Sequence, residues 1–218
     1  MFVMRSTIAV ATAVLICAHF LAPAAAAQEN ADDLVRRLKS KYDSIISLQA
    51  RFSQTMSADY FDEPERTSGT LVMHGDQYRV ETGGQTLVTN GVLTWIYNVA
   101  ENQVLLNDYV EDETTFSINN FFHHFDELYV IESVERAAVA EVETFIMKMT
   151  ARSPDSFFRE VTVQMRDSDD MITRLEVVDA NETHLAFDLV DIVLNAPVDE
   201  ETFRFEPTAE MDVVDLRS

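Results

Sequence analysis

The stretch QTLVTNGVLTWIYNVAENQVLL, residues 85–106, predicts two antiparallel strands joined by an Asn-Gly turn, with a third strand after them. The second strand carries apolar side chains on both of its faces. They are Leu93, Trp95 and Tyr97 on one side, and Val92 and Ile96 on the other. An antiparallel strand commonly turns one face to a core and the other to water. This strand therefore needs a second hydrophobic environment.

Strand-like segments continue on both sides of this stretch, with turn residues between them. Before residue 110 they are Leu48–Met56, Thr70–Met73, Gln77–Glu81, Thr86–Thr89, Val92–Asn98 and Gln103–Leu106. Later in the chain they are Leu128–Val134, Val142–Thr150, Phe157–Met165, Ile172–Val178, His184–Leu194 and the short Phe203-Arg204-Phe205. About a dozen antiparallel strands are more than a strongly twisted open sheet holds without curling. We therefore predict an α+β, mainly β fold whose sheet bends into a barrel or half-barrel.

An amphipathic helix is predicted ahead of the strands, over residues 32–48. Its apolar stripe consists of Leu34, Leu38, Tyr42 and Ile45. Acidic residues at its start and its modest length favour packing against a sheet over lying on a membrane surface.

A second, very aromatic helix is predicted within TTFSINNFFHHF, residues 114–125, with Ser117 as its N-cap. Its apolar face carries Ile118, Phe121, Phe122 and Phe125. Two interpretations fit this segment. It is either a plug over one barrel end or a movable lid over a cavity.

The first 27 residues have the pattern of a cleaved secretory signal peptide. One positive charge at Arg5 precedes an apolar run, and three alanines end at Ala27, where we expect cleavage. Residues 28–218 then form one domain, which contains no cysteine because Cys17 leaves with the signal. The residue before Cys17 is Ile16, which does not fit a lipid-attachment site, so a soluble protein is expected.

The charge of the chain excludes two classes of partner. Its formal net charge of −22 repels phosphate backbones and anionic bilayer surfaces. Nucleic-acid binding and passive membrane adhesion are therefore not expected.

Sequence motifs for catalysis are missing, including a nucleophile elbow, a phosphate-binding glycine loop and a zinc-protease helix. The best metal candidate is HHFDE, where His123 and His124 precede Asp126 and Glu127. Adjacent histidines on a helix point about 100° apart, so they do not readily share one ion. We predict no enzyme activity, no cofactor and no metal site. A hydrolase with an unrecognised carboxylate pair remains the alternative from another class.

Four stretches together resemble the LolA-type outer-membrane lipoprotein carriers of Gram-negative bacteria. They are LQARFSQTMS, SGTLVMHGDQYRVET, LVTNGVLTWIYNVAENQVLL and DEETFRFEPTAEMDVVDL, in this order along nearly the whole mature chain. The resemblance implies an unclosed antiparallel β-barrel of about 11–12 strands around a hydrophobic cavity, with helices including a mobile lid over it.

The resemblance also implies a function. Such periplasmic chaperones carry acylated lipoproteins from an inner-membrane ABC transporter to an outer-membrane acceptor, without catalysis. A monomer in the periplasm that takes part in outer-membrane biogenesis is expected. A carrier of another amphiphile, a polyprenyl or a glycolipid, is the alternative, since an apolar cavity discriminates poorly by chain length.

The predicted cavity lining is a set of large apolar and aromatic side chains, together with the lid residues of the aromatic helix. The lining consists of Phe52, Leu71, Met73, Tyr78, Val80, Trp95, Tyr97, Met147 and Met149. Strand alternation leaves the opposite face open for each of them.

The chain departs from the family pattern at one turn. Many members have an Arg-Pro pair after the strand written here TLVMHG, and that arginine is proposed to latch the lid. Here the turn is Gly75-Asp76. Arg79 matches a different position, so the latch is not transferred to it.

Overall fold

The computed structural model describes the backbone of residues 23–109 and 118–217, and the side chains of residues 31–109, 121 and 124–217. Two α-helices, α1 at Pro23–Asp43 and α2 at Ile118–Leu128, accompany twelve strands in this part of the chain. The first six strands are β1 Ser47–Ser57, β2 Glu65–His74, β3 Gln77–Thr82, β4 Gln85–Thr89, β5 Leu93–Asn98 and β6 Gln103–Asp108. The other six are β7 Tyr129–Val139, β8 Val142–Ala151, β9 Phe158–Arg166, β10 Ile172–Asp179, β11 His184–Leu194 and β12 Asp212–Asp215.

All twelve strands belong to one sheet, in the order β12-β6-β5-β4-β3-β2-β1-β11-β10-β9-β8-β7. Every pairing is antiparallel except that of β12 with β6. Within the described residues β7 and β12 form the two edges and do not pair with each other. The sheet is therefore an unclosed barrel, and the predicted fold class is confirmed.

The strand registers assign each side chain to one of two faces. Residues paired across strands share a face, and residues two apart along a strand share it too. We call the inner face the one that carries Leu71 of β2, Phe187 of β11 and Met147 of β8, on which α1 and α2 pack. The opposite face is the outer face.

A buried core fills the β7–β10 half of the inner face. The helices contribute Leu34 and Leu38 from α1 and Phe121 and Phe125 from α2. The strands contribute Tyr129, Met147, Met149, Phe158, Val161, Val163, Met165, Ile172, Leu175 and Val177. Burial of these side chains is what fixes both helices to the sheet.

An ion-pair network also fixes α1 to the sheet. The Arg37 guanidinium donates to the carboxylates of Asp167 and Asp170, which lie in the turn between β9 and β10. Hydrogen bonding to Asp170 raises the pKa of Arg37 above its already high usual value. Arg37 and Arg136 both lie over the ring of Phe145, at 5.4 and 5.6 Å from its centroid.

The N-terminal helix differs from its predicted bounds at both ends. It begins at Pro23, so the expected cleavage site at Ala27 falls inside α1. It ends at Asp43 rather than at Leu48, which is already part of β1. The side chain of Asn195 accepts hydrogen bonds from the backbone N–H groups of Ile46 and Ser47. These bonds turn the chain into the strand, although the apolar spacing continues.

The predicted strand Phe203-Arg204-Phe205 is wrong. A short 3₁₀ helix, Glu200–Phe203, occupies its first part, because the Asp199 carboxylate accepts a hydrogen bond from the N–H of Glu201 and caps the turn. The last strand is instead β12, which pairs in parallel with β6.

The segment around this 3₁₀ helix packs on the outer face of β2–β6. Arg79 of β3 donates to the backbone carbonyls of Thr202 and Arg204. The rings of Tyr97 and Phe205 lie 5.6 Å apart, and Phe203 is 1 % exposed. We call residues 198–211 the outer cover.

Removing the ring of Phe203 should loosen the outer cover and destabilise the fold. Phe203→Ala is expected to lower the free energy of unfolding by about 3–5 kcal/mol, the usual range for a fully buried phenylalanine. Urea unfolding followed by Trp95 fluorescence measures this loss. Phe205→Ala, at a partly exposed position, should cost clearly less; equal losses would contradict the packing described.

Candidate functional site

The candidate site is the inner face of β1–β6, the half of the sheet that the large core does not fill. A smaller cluster begins there with Leu48 and Ala50 of β1, Leu71 of β2 and Met171, all buried. The residues that pack around it are only partly buried: Ile45, Phe52, Met73, Tyr78, Val80, Leu189, Ile192 and Leu194. Five of the predicted lining residues, Phe52, Leu71, Met73, Tyr78 and Val80, are thus brought together on one surface.

The surface continues across β4, β5 and β6 through Leu87, Ile96 and Leu105. These three follow Leu71 and Val80 in register, each directly opposite the next. All three are partly exposed. The sequence analysis missed them as lining residues, because the bulkier aromatic side chains of β5 drew the prediction to the other face. Pairing β4 with β5 across the Asn-Gly turn would have aligned Leu87 with Ile96.

The inner face of β1–β6 is almost free of charge. By register, its positions hold apolar residues, glycine and the uncharged polar residues threonine, glutamine, asparagine and tyrosine. Among the described positions the one charged residue is Glu65, at the first position of β2. Such a surface suits an apolar ligand, and it does not present the facing pair of carboxylates that the hydrolase alternative requires.

Tyr78 is the largest polar side chain in this region. Burial, followed by the nearby Tyr109, raises the pKa of its phenol above the usual value. The phenol is therefore neutral at physiological pH and adds a hydrogen-bonding group without adding charge.

Trp95 and Tyr97 do not belong to the same surface. Trp95 pairs with Val88 and Tyr97 with Thr86, so both lie on the outer face, opposite Leu71 and Val80. Strand alternation forces this separation, because only Ile96 between them points inward. The prediction that one cavity is lined by all of these residues is therefore wrong for Trp95 and Tyr97. For Tyr97 the outer cover supplies a second hydrophobic environment through the ring of Phe205.

Met147 and Met149 lie on the inner face, but in the other half of the sheet. Both belong to the large core and are 1 % and 2 % exposed. In this conformation α1, α2 and neighbouring strands cover them. A ligand would reach them only after a helix moved.

The predicted aromatic helix is present as α2. Phe121 and Phe125 are buried on the inner face, their ring centroids are 5.7 Å apart, and Phe121 lies 5.9 Å from Tyr129. The side chains of Ile118 and Phe122, also predicted for this face, lie outside the described residues. The structure thus places an aromatic helix against the β7–β10 half of the sheet.

A single ion pair in the described residues joins the two helices. Lys39 of α1 donates to both carboxylate oxygens of Asp126 of α2, at 3.0 and 2.8 Å. Hydrogen bonding to Asp126 raises the pKa of Lys39 above its usual value. About one third of each side chain is exposed, so water and salt weaken the pair.

Metal binding finds little support in the described part of the molecule. His124 lies 3.7 Å from Glu127 on the same helix, a contact that is ionic only if the imidazole is protonated. No group of three or more His, Cys, Asp or Glu residues between positions 31 and 217, as far as side chains are described, is arranged to hold an ion. Across the same described residues, no helix combines the length and apolarity needed to span a membrane.

Comparison with known proteins points to one family. A sequence profile described as "Outer membrane lipoprotein carrier protein LolA" matches residues 43–206. An outer-membrane lipoprotein carrier protein of Halorhodospira halophila is 27 % identical over 186 residues, which cover 82 % of this chain and 84 % of the relative.

Solved structures resemble this fold at low sequence identity. An uncharacterised conserved protein from Thermus thermophilus aligns with a TM-score of 0.55 and 14 % identity, over 85 % of this chain and 99 % of that one. A LolA superfamily protein from Nitrosomonas europaea gives a TM-score of 0.44 and 11 % identity, over 80 % and 97 % of the two chains.

Breaking the helix-to-helix ion pair should loosen α2 while α1 stays in place. Lys39→Ala is expected to speed amide hydrogen exchange in α2 by roughly two- to five-fold, the equivalent of about 0.5–1 kcal/mol for a partly exposed pair. Exchange in α1 should change little, because Arg37, Leu34 and Leu38 still fix it. Hydrogen exchange read by mass spectrometry resolves the two helices.

Arg36→Ala is the matched control for this variant. Arg36 lies on the same helix and pairs at 3.0 Å with Asp33, within α1. Its removal should leave exchange in α2 unchanged. If both variants or neither of them speeds exchange in α2, the pair does not hold that helix.

Proposed function

Because this chain belongs to the LolA family of outer-membrane lipoprotein carrier proteins, we propose that it carries the acyl chains of lipoproteins through the periplasm on the inner face of β1–β6. In this role it receives lipoproteins at the inner membrane from an ABC transporter and delivers them to an acceptor at the outer membrane. It performs no chemical reaction on them. The nearly charge-free inner face is the observation that carries this proposal.

The size of the hydrophobic effect explains why such a face needs a cover. At about 0.8 kcal/mol per buried methylene, an acyl chain of about 16 carbons contributes on the order of 12 kcal/mol when it leaves water. Several such chains in an open apolar groove would bind too tightly to be passed on. A carrier therefore needs an internal competitor for its cargo.

Helix α2 suits the role of that competitor. Phe121 and Phe125 already occupy the inner face in this conformation. Cargo that extends from β1–β6 into the β7–β10 half must displace these rings and compensate for the burial that they lose, so its net affinity falls by that amount. In the part of α2 whose side chains the structure describes, one partly exposed ion pair joins it to α1, whereas Arg37 fixes α1 to the sheet through two aspartates. We therefore assign movement to α2 and a fixed position to α1.

The acidic surface is compatible with this role. Charged residues on the β-strands lie mostly on the outer face, for example Arg51, Arg79 and Glu81. A carrier with this charge does not adhere to anionic bilayers, so it approaches each membrane through its protein partners.

Isolation of the protein from its own cell envelope tests the proposal directly. Mass spectrometry of the copurifying material should find acylated N-terminal peptides of lipoproteins. Free glycolipid or polyprenyl in their place would favour a carrier of another amphiphile. Recovery of neither class would contradict both functions.

Two adjacent residues on opposite faces give a matched pair of variants. Met73 lies on the inner face and Val72 on the outer face, and both are partly buried. Met73→Gln should lower the recovered cargo several-fold because it places an amide among the acyl chains. Val72→Gln should leave recovery unchanged. Equal loss in both variants would show that stability rather than the inner face decides cargo recovery.

A further inference from the structure

The apolar residues on the inner face of β2–β6 form a stripe that runs across the strands. It consists of Leu71, Val80, Leu87, Ile96 and Leu105, one residue from each strand in direct register. We call this set the transverse stripe. It extends toward both sides, since Ala50 of β1 is opposite Leu71 and Val214 of β12 is opposite Leu105.

Uncharged polar residues border the transverse stripe on β4–β6. On one side the next inner-face row holds Thr89, Thr94 and Asn107. On the other side it holds Gln85, Asn98 and Gln103. Each bordering row lies about 7 Å from the stripe, two residues along a strand. The apolar surface on these strands is therefore long across the sheet and narrow along it.

The length of the stripe matches one acyl chain. Neighbouring strands lie about 4.8 Å apart, so the four intervals from Leu71 to Leu105 span about 19 Å along the sheet. The hydrocarbon core of a bilayer, two chains thick, measures about 30 Å, which gives about 15 Å for one chain. A chain laid along β4, β5 or β6 would instead press much of its length against threonine, asparagine and glutamine.

From this geometry we infer that the carrier seats an acyl chain lengthwise across its strands, on the transverse stripe, with Leu87, Ile96 and Leu105 as contact residues. The inference rests on the proposed function and adds to it the orientation of the chain. Thr89 is fully buried and its hydroxyl donates to the Leu93 carbonyl, so the polar limits of the stripe are the other bordering residues, on which methylenes pack unfavourably. Polar atoms of the cargo, such as ester or amide groups, fit beside the chain on these rows.

Quenching by spin-labelled stearic acids tests the orientation. In a Trp95→Phe background, single tryptophans are introduced as Val80→Trp and as Leu105→Trp, three strands apart on the stripe. Stearic acid carrying a nitroxide near its carboxyl end or near its methyl end is then added to each variant. If the chain lies across the strands, the label position that quenches one tryptophan more strongly should quench the other more weakly. At each tryptophan the quenching by the two label positions should differ at least two-fold. The same order at both positions would overturn the inference.

Two further measurements keep the result independent of folding defects. In the unaltered chain Trp95 lies on the outer face, so neither label should quench it strongly; strong quenching there would place the chain elsewhere and overturn the inference. Paramagnetic broadening of amide NMR signals in the unaltered chain should show the same gradient, from β3 to β6 and not along each strand.

The outcome is separable from the test of the proposed function. Stearic acid probes the inner face whether or not lipoproteins are the natural cargo. A gradient across the strands with no lipoprotein recovered from the envelope would support the orientation of the acyl chain and reject lipoproteins as the cargo. Lipoproteins recovered without such a gradient would support the carrier function and reject the orientation of the acyl chain. Failure of stearic acid to bind at all would also reject the orientation.

Discussion

One constraint underlies the whole molecule: across an eleven-strand antiparallel sheet the strand register must keep apolar side chains on the inner face, where charged residues such as Glu65, Arg136 and Glu143 are exceptions. A slip of one residue anywhere would turn apolar residues outward and charged ones inward. The join between β1 and β11 meets this requirement with a β-bulge between Gln49 and Arg51. Leu48 and Phe52 are four residues apart, whereas their partners Leu194 and Leu189 are five apart, yet all four face inward. The extra residue on β11 absorbs the difference, and Asp191 adopts a positive φ of 52° there.

The inner face is divided between two tasks. Over β7–β10 it is filled by its own helices and acts as an ordinary core. Over β1–β6 it remains partly exposed, so part of its hydrophobic free energy is still to be gained by a ligand. This division explains why predicted lining residues differ so much in burial, with Met147 nearly inaccessible and Val80 partly exposed.

Much of this organisation was predictable from the sequence. Eleven of the twelve predicted strands exist, because hairpin turns such as Asn90-Gly91 and alternating apolar residues are local signals. The missed strand, β12, pairs in parallel with β6 through residues far away in the sequence, and no local pattern specifies such a partner. The sequence also could not show which face of β5 points inward, because both of its faces are apolar, each for a different reason. Aromatic size pointed to Trp95 and Tyr97, but both lie on the outer face, where Tyr97 meets Phe205 of the outer cover. That cover is held by a cap at Asp199 and by Arg79, contacts that only tertiary structure reveals.

The β1–β11 seam has a consequence for how the chain folds. Each half of the sheet is a series of hairpins that can form from neighbouring segments, yet the seam joins residues about 140 positions apart, such as Arg51 and Asp191. Closing so long a loop carries an entropic cost, which makes distant strand pairing the slow step of folding. A chain that is synthesised amino-terminus first must therefore hold β1 with an open edge until β11 arrives. During that interval the open edge of β1 can pair with another chain, so self-association is the main hazard while the chain is incomplete.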